Sequence, residues 1–205
     1  MTQSELELYD GLSDVLTYPG QDYQRRVGRC AGLLQRTHPQ AEGTFNQFAQ
    51  RIAPKAVHEL EELFTRTFDL DPACCLEVGW HLFGENYERG RFLVRMRQEL
   101  SRCQLRESAE LPDHLTHVLR VLARMDSDLA AGFVVEGVLP ALEKMMDALE
   151  GRDNPYQCLL QAIRTVLQEA VPQQTEAVEG GLKRSKGSKR SKGSKRPGGS
   201  PKALS

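Results

Sequence analysis

The sequence lacks the motifs by which the common enzyme classes are recognised. It contains no GxSxG nucleophile elbow, no Walker A phosphate loop, no GxGxxG dinucleotide fingerprint and no HExxH zinc helix. Its five cysteines include no CxxC pair, and the adjacent Cys74 and Cys75 suit neither a zinc knuckle nor a redox dithiol. These absences favour a protein that is not an enzyme.

Long apolar runs are also missing. No stretch approaches the roughly 18 uninterrupted apolar residues of a membrane-spanning helix, and residues 1–5 have neither the basic nor the apolar region of a signal peptide. We therefore expect the protein to stay in the cytoplasm, without stable insertion into a membrane. Its 205 residues, 40% of them hydrophobic and 27% charged, suffice for one globular domain with a substantial core.

Strand patterns are absent as well, because no segment alternates apolar and polar residues with a period of two. Apolar residues instead recur at intervals of three and four from Leu8 to Leu167, which predicts amphipathic helices. We predict an all-α fold, a single-domain multi-helix bundle that covers residues 1–172.

Capping and breaking residues mark the predicted helix ends. Thr2 and Glu5 have the spacing of a capping box, Pro54 should open a helix, and Pro140 should kink or break one. Pro112 and Asp113 indicate a loop that leads to an N-cap. Further breaks are expected at residues 18–20, 38–39, 71–72 and 154–155.

The C-terminal segment differs from the rest of the chain in charge and composition. From Lys183 to Ser205 there are nine basic residues and no acidic one, and the unit KRSKGS occurs twice in succession. This leaves 18 basic against 28 acidic residues in positions 1–182, a net charge of −10. We predict a disordered linker and basic tail over residues 173–205, attached to an acidic body that attracts basic ligands.

Asp113, His114 and His117 form the best candidate for a metal site. Residues 113 and 117 would share a helix face, and two imidazoles with a carboxylate suit a divalent ion. A capping role for Asp113 and ordinary hydrogen bonds for the two histidines explain the same residues without a metal. We favour this second interpretation and predict no metal site, so a small metal-dependent enzyme is the weaker alternative.

Two blocks in the middle of the chain carry a more specific pattern. Residues 60–97 read LEELFTRTFDLDPACCLEVGWHLFGENYERGRFLVRMR, and residues 110–115 read ELPDHL. In order and spacing these blocks resemble the NarJ branch of the NarJ/TorD/DmsD family, the assembly chaperones of molybdoenzymes. The likeness extends over about residues 5–170. Leu111 departs from looser versions of the family pattern, in which Pro directly follows the acidic residue.

The resemblance implies a TorD-like helical bundle and a chaperone that needs no cofactor of its own. Members of the NarJ branch bind the N-terminal segment of the apo nitrate reductase α subunit and keep it competent for molybdenum cofactor insertion. A basic, amphipathic client segment suits an acidic body with an apolar groove. The residues that we expect at the client site are four aromatic and three polar ones: Phe64, Trp80, Phe83, Tyr87, Glu110, Asp113 and His114.

Other interpretations of these residues and of the tail remain open. The aromatic residues could instead fill the core, and Arg89, Arg95 and Arg97 are expected on solvated helix faces. The alternative function is a nucleic-acid-interacting helical protein that binds phosphates through its basic tail. The acidic body and the absence of aromatic residues from that tail disfavour it.

Overall fold

The computed structural model describes residues 2–171, and within that range the chain is helical and contains no strand element. The all-α prediction is therefore confirmed there, whereas the predicted tail over residues 173–205 lies outside the described residues. No helix in the described range is long and apolar enough to cross a membrane. The α-helices are α1 (Gln3–Val15), α2 (Tyr23–Thr37), α3 (Pro39–Ile52), α4 (Val57–Phe64), α5 (Val78–Phe83), α6 (Tyr87–Arg102), α7 (Leu115–Leu122), α8 (Ser127–Phe133), α9 (Leu139–Leu149) and α10 (Tyr156–Ala170).

The main core lies among α1, α2, α3, α7 and α10. Helix α3 packs along α10, and α1 packs against both α2 and α7. Two fully buried tyrosines join these helices, because the Tyr23 hydroxyl donates to the Val15 carbonyl at 2.9 Å and lies 3.4 Å from the Tyr156 hydroxyl. Burial of a hydroxyl group without such partners would be costly.

Local capping explains where several helices begin. The predicted capping box is confirmed, because the Thr2 hydroxyl accepts the Glu5 N–H at 3.3 Å and the Glu5 carboxylate accepts the Thr2 N–H at 2.6 Å. The expectation that Pro54 opens a helix is wrong, since α4 begins at Val57. Its first turn is closed by Glu59, whose carboxylate accepts the Ala56 N–H at 2.7 Å.

Two π-helical segments interrupt the regular helices. One, Thr65–Asp69, continues α4, and the other, Val134–Val138, joins α8 to α9. Pro140 is the second residue of α9 and has no N–H to donate to the carbonyl of residue 136. The backbone widens just before it, with the Leu139 N–H bonded to the Val134 carbonyl. The predicted irregularity at Pro140 is therefore a π turn inside a longer helical stretch.

A short backbone bridge fixes the start of α5 beside the start of α7. The Val78 N–H donates to the Asp113 carbonyl at 3.0 Å, and the Leu115 N–H donates to the Leu76 carbonyl at 2.8 Å. The residue that caps α7 is His114, because its side chain accepts the Thr116 N–H, so the N-cap role considered for Asp113 is wrong. This bridge brings the two sequence blocks of residues 60–97 and 110–115 into contact.

Candidate functional site

Four of the seven expected client-site residues meet at one cleft of about 400 Å³, which we call the polar cleft. They are Phe64, Trp80, Glu110 and His114, and they come from α4, α5, the loop before α7 and the N-cap of α7. The remaining lining residues belong to the first π segment, the loop that follows it and α6: Phe68, Asp69, Pro72, Cys75, Leu76, Glu77 and Arg89.

Phe64 serves both the core and this cleft. Its side chain is 4% exposed, and its ring lies 5.0 Å from the Phe68 ring and 5.9 Å from the Tyr156 ring, measured between centroids. Such edge-to-face contacts are typical of a packed aromatic cluster. Phe64 is therefore a core residue whose exposed edge forms part of the cleft wall.

Arg89 lies inside the polar cleft and not on a solvated face, so that expectation is wrong. Its guanidinium carbon lies 5.3 Å from the centroid of the Trp80 ring, within the range of a cation–π contact. Its Nε lies 3.9 Å from Oδ2 of Asp113. The Arg89 side chain is 22% exposed and that of Asp113 is fully buried, so the ion pair links a lining residue of the cleft to a carboxylate behind it.

Asp113 lies behind the cleft wall and is held by the backbone of α5. Its Oδ2 accepts the Gly79 N–H at 3.0 Å, whereas its buried Oδ1 has no hydrogen-bond partner. Burial raises the pKa of Asp113, and the nearby Arg89 and the Gly79 N–H oppose that rise. Asp113 therefore orients the residues around it and does not itself line the cleft.

Three carboxylates, those of Asp69, Glu77 and Glu110, give the cleft a negative rim. Within residues 2–171 none of them forms an ion pair. Partial burial raises the pKa of Glu110, and repulsion from Glu77 and Asp69 raises it further. A cationic group placed among these carboxylates would relieve that repulsion, so the rim suits a basic side chain.

His114 offers a hydrogen-bond donor to the cleft. Its Nδ1 accepts the Thr116 N–H at 3.4 Å and lies 2.7 Å from the Thr116 hydroxyl. Burial lowers the pKa of His114 from 6.5 to about 4, so the ring is neutral near pH 7. With Nδ1 used as an acceptor, the proton resides on Nε2.

The proposed metal ligands do not assemble. His117 uses both ring nitrogens, since Nε2 accepts the Ser108 N–H at 3.2 Å and Nδ1 donates to the Leu111 carbonyl at 2.9 Å. Asp113 is fully buried, and its Oδ2 is engaged by the Gly79 N–H and by Arg89. Across residues 2–171, no three side chains of the metal-binding types are grouped to hold an ion.

A second cleft, of about 370 Å³, is also bordered by α5 and α6, and we call it the apolar groove. Phe83 lines it and is 37% exposed. Its ring lies 5.5 Å from that of Phe92, which lies 6.0 Å from that of Phe133, so three aromatic rings form one wall. The other lining residues are Leu82, Arg95, Met96, Glu99, Met125, Asp128, Leu129, Gly132, Glu136 and Gly137.

Tyr87 lines neither of these clefts. It is the first residue of α6 and its side chain is 80% exposed, which rules out a role in the core. An exposed tyrosine offers a large apolar contact with a polar end and is common at interfaces. The expectation that it contacts a client stays a prediction.

The helical bundle of this chain resembles that of a solved structure. A solved structure titled a putative redox enzyme maturation protein, from Archaeoglobus fulgidus, matches with a TM-score of 0.56 and 20% sequence identity, over 82% of this chain and 96% of that one. At that identity the likeness shows the fold alone. No protein with a curated description matches this sequence.

The sequence itself identifies the family. The family model described as nitrate reductase delta subunit matches residues 34–171, a range that includes both clefts and both sequence blocks. The chain belongs to the nitrate reductase delta subunit family. The resemblance to the NarJ branch, based on residues 60–97 and 110–115, is thereby confirmed.

Proposed function

We propose that this protein is an assembly chaperone that binds the N-terminal segment of the apo nitrate reductase α subunit. Binding keeps that subunit competent for molybdenum cofactor insertion and for assembly of the complex. The observation that carries the proposal is the polar cleft, where Trp80 and three carboxylates without ion-pair partners face the same opening. Family membership supplies the client class.

The two clefts suit the two faces of a basic, amphipathic segment. The apolar groove offers aromatic and methionine side chains, and burying apolar surface there contributes about 25 cal/mol per Å². Its wall carries three acidic residues, Glu99, Asp128 and Glu136, against the single basic residue Arg95. Acidic groups at the edge of an apolar groove steer basic partners and increase the rate of encounter.

On this proposal the chain's own residues bind and hold the client, and none of them acts as a catalyst. The chaperone acts in the cytoplasm, where a newly made catalytic subunit is available before its cofactor is inserted. The basic tail is not required for recognition, because the acidic groups that match a basic client belong to residues 69–136. A chain without residues 181–205 should therefore keep its affinity for the client, whereas a nucleic-acid-binding protein would lose its ligand.

Calorimetric titration of the full chain with a peptide from the α-subunit N-terminus tests the proposal. We expect saturable binding that weakens at higher salt, because the rim charges are solvent-accessible. Trp80→Ala and Phe83→Ala should each weaken it by about tenfold or more, as is usual for aromatic residues at an interface. Val94→Ala is the matched control, since Val94 is 54% exposed on α6 and lines neither cleft. No binding to the peptide or to the whole apo subunit would contradict the proposal.

A further inference from the structure

The polar cleft and the apolar groove share two helices as walls. Helix α5 contributes Trp80 to the polar cleft and Phe83 to the apolar groove, and α6 contributes Arg89 to the first and Phe92 to the second. In each helix the two residues are three positions apart, a rise of about 4.5 Å. The two clefts therefore lie within about one helical turn of each other.

Gly79 packs against a wall residue of the apolar groove and against the carboxylate behind the polar cleft. A Cβ atom at this position would lie 2.6 Å from Oδ2 of Asp113, behind the polar cleft, and 2.7 Å from Cδ1 of Phe92, in the wall of the apolar groove. Both distances are below van der Waals contact, so only glycine allows the carboxylate and the ring to approach the same backbone atom. The Phe92 ring and the Asp113 carboxylate thus pack against the same residue, and that carboxylate lies 3.9 Å from Nε of Arg89 in the polar cleft.

We propose that the polar cleft and the apolar groove are two halves of one composite site that binds a single client segment. A basic side chain of that segment lies among Asp69, Glu77 and Glu110, and an apolar helix face lies against Phe92. Gly79, against which both Phe92 and Asp113 pack, couples the two halves. This inference rests on the proposed function and specifies which features of the client segment the protein recognises.

The charges of both halves point to the same occupant. Three carboxylates and one cation, Arg89, line the polar cleft, and three of the four charged residues of the apolar groove are likewise acidic. His114 adds a donor, since it lines the cleft and its Nε2–H has no hydrogen-bond partner within residues 2–171. A peptide supplies both a cation for the carboxylates and a backbone carbonyl for this donor. A peptide that carries a basic residue about one helical turn from its apolar side chains would satisfy the carboxylates, the His114 donor and the apolar groove.

Replacing the basic residues of the α-subunit peptide one at a time by Gln locates the cation. One such replacement should weaken binding to the wild-type chain by about tenfold, the lower part of the range for a coupled charge. The same replacement should have little effect on binding to the Asp69→Asn/Glu77→Gln/Glu110→Gln chain, because the three carboxylates that would pair with the cation are already neutral. Equal losses with both chains for every basic residue would overturn the assignment of the cation to the polar cleft.

A pair of double-variant cycles tests the coupling through Gly79. The chain with both Phe92→Leu and Glu110→Gln should lose less affinity than the product of the two single losses. The dissociation constant of the double variant should be lower than that product predicts by about fivefold or more. Leu129→Ala is the control for the groove, since Leu129 lines it on α8, away from Gly79. The loss of affinity in the chain with both Leu129→Ala and Glu110→Gln should equal the product of the two single losses.

The outcomes separate this inference from the proposed function. If the wild-type chain fails to bind the peptide or the apo subunit, the proposed function is wrong. If it binds but both cycles are multiplicative, the client is still recognised and only the coupling is overturned. All these variants keep Gly79, so the result does not depend on whether a chain altered at that position folds.

Discussion

The backbone N–H of Gly79 donates to the Asp113 carboxylate at 3.0 Å across 34 positions of sequence. This bond connects the helix that bears Trp80 to the loop that bears the second sequence block. It also places the buried Asp113 carboxylate directly against the backbone of Gly79, where a side chain would displace it.

Gly79→Ala should lower the free energy of unfolding by about 1–3 kcal/mol, the usual cost of an added methyl group in a filled site. The new Cβ would lie 2.6 Å from the Asp113 carboxylate and 2.7 Å from the Phe92 ring. Urea denaturation measures the change. Gly90→Ala, at an exposed position of α6 with nothing within 4 Å of the added carbon, should instead be neutral or stabilising by up to about 1 kcal/mol. Equal effects of the two substitutions would show that the position of Gly79 is not crowded.

Arg89→Met should destabilise the protein more at pH 7 than at pH 4. Burial already raises the pKa of Asp113, and Arg89 opposes that rise. A carboxyl whose folded pKa is raised costs stability as the pH increases through its titration, so loss of the cation enlarges the cost only where Asp113 is ionised. We expect a deficit of about 2 kcal/mol at pH 7, below the value for breaking a fully buried pair, because Arg89 is partly exposed.

The control for this pH effect is the chain with both Arg89→Met and Asp113→Asn. Without an ionisable group at position 113, its stability relative to the Asp113→Asn chain should not change between pH 4 and pH 7. Unfolding in urea at both pH values gives the comparison. A deficit that stays the same at both pH values in the Arg89→Met chain would contradict the pairing.

The His114 ring should stay neutral down to about pH 5. Burial lowers its pKa to about 4, so the folded state binds this proton less tightly than the unfolded state does. Stability from this residue is therefore present above pH 6.5 and is lost as the pH falls toward 4. Titration of the histidine ring resonances by NMR measures the pKa directly, and His114→Asn, which keeps a capping side chain, should abolish the corresponding loss of stability. A His114 resonance that titrates near 6.5 would contradict the burial argument.

Tyr87→Ala should weaken client binding without affecting the fold. Tyr87 is 80% exposed, so its removal should change the free energy of unfolding by less than about 0.5 kcal/mol. Calorimetric titration with the α-subunit peptide then reports contact with the client alone. Unchanged affinity would remove Tyr87 from the binding surface.

Some local features of this protein were predictable from sequence, whereas the long-range contacts were not. The capping box at Thr2 and Glu5 depends on residues three positions apart, and it is present as predicted. The environment of Arg89 depends on Trp80 and on Asp113, which is 24 positions further along the chain. An amphipathic pattern places a residue on a helix face but does not say what packs against that face.

The residues of the candidate site were likewise predicted only in part. The family resemblance pointed to Trp80, Glu110 and His114, and these residues line one cleft. It did not reveal Phe92 or Phe133, because apolar residues at helical spacing are indistinguishable from core residues until the packing of α8 against α6 is known. The π segment Thr65–Asp69 was also missed, and Pro140 predicted an irregularity but not its π form, since no simple sequence rule marks a π turn.

The molybdenum content of nitrate reductase assembled with and without this protein tests the central claim most directly. We expect the enzyme purified from cells that lack the chain to contain little molybdenum, and the wild-type chain to restore it. A chain carrying both Trp80→Ala and Phe92→Ala should fail to restore it, while Val94→Ala should restore it fully. Full molybdenum content in the absence of the chain would contradict a role in preparing the α subunit for its cofactor.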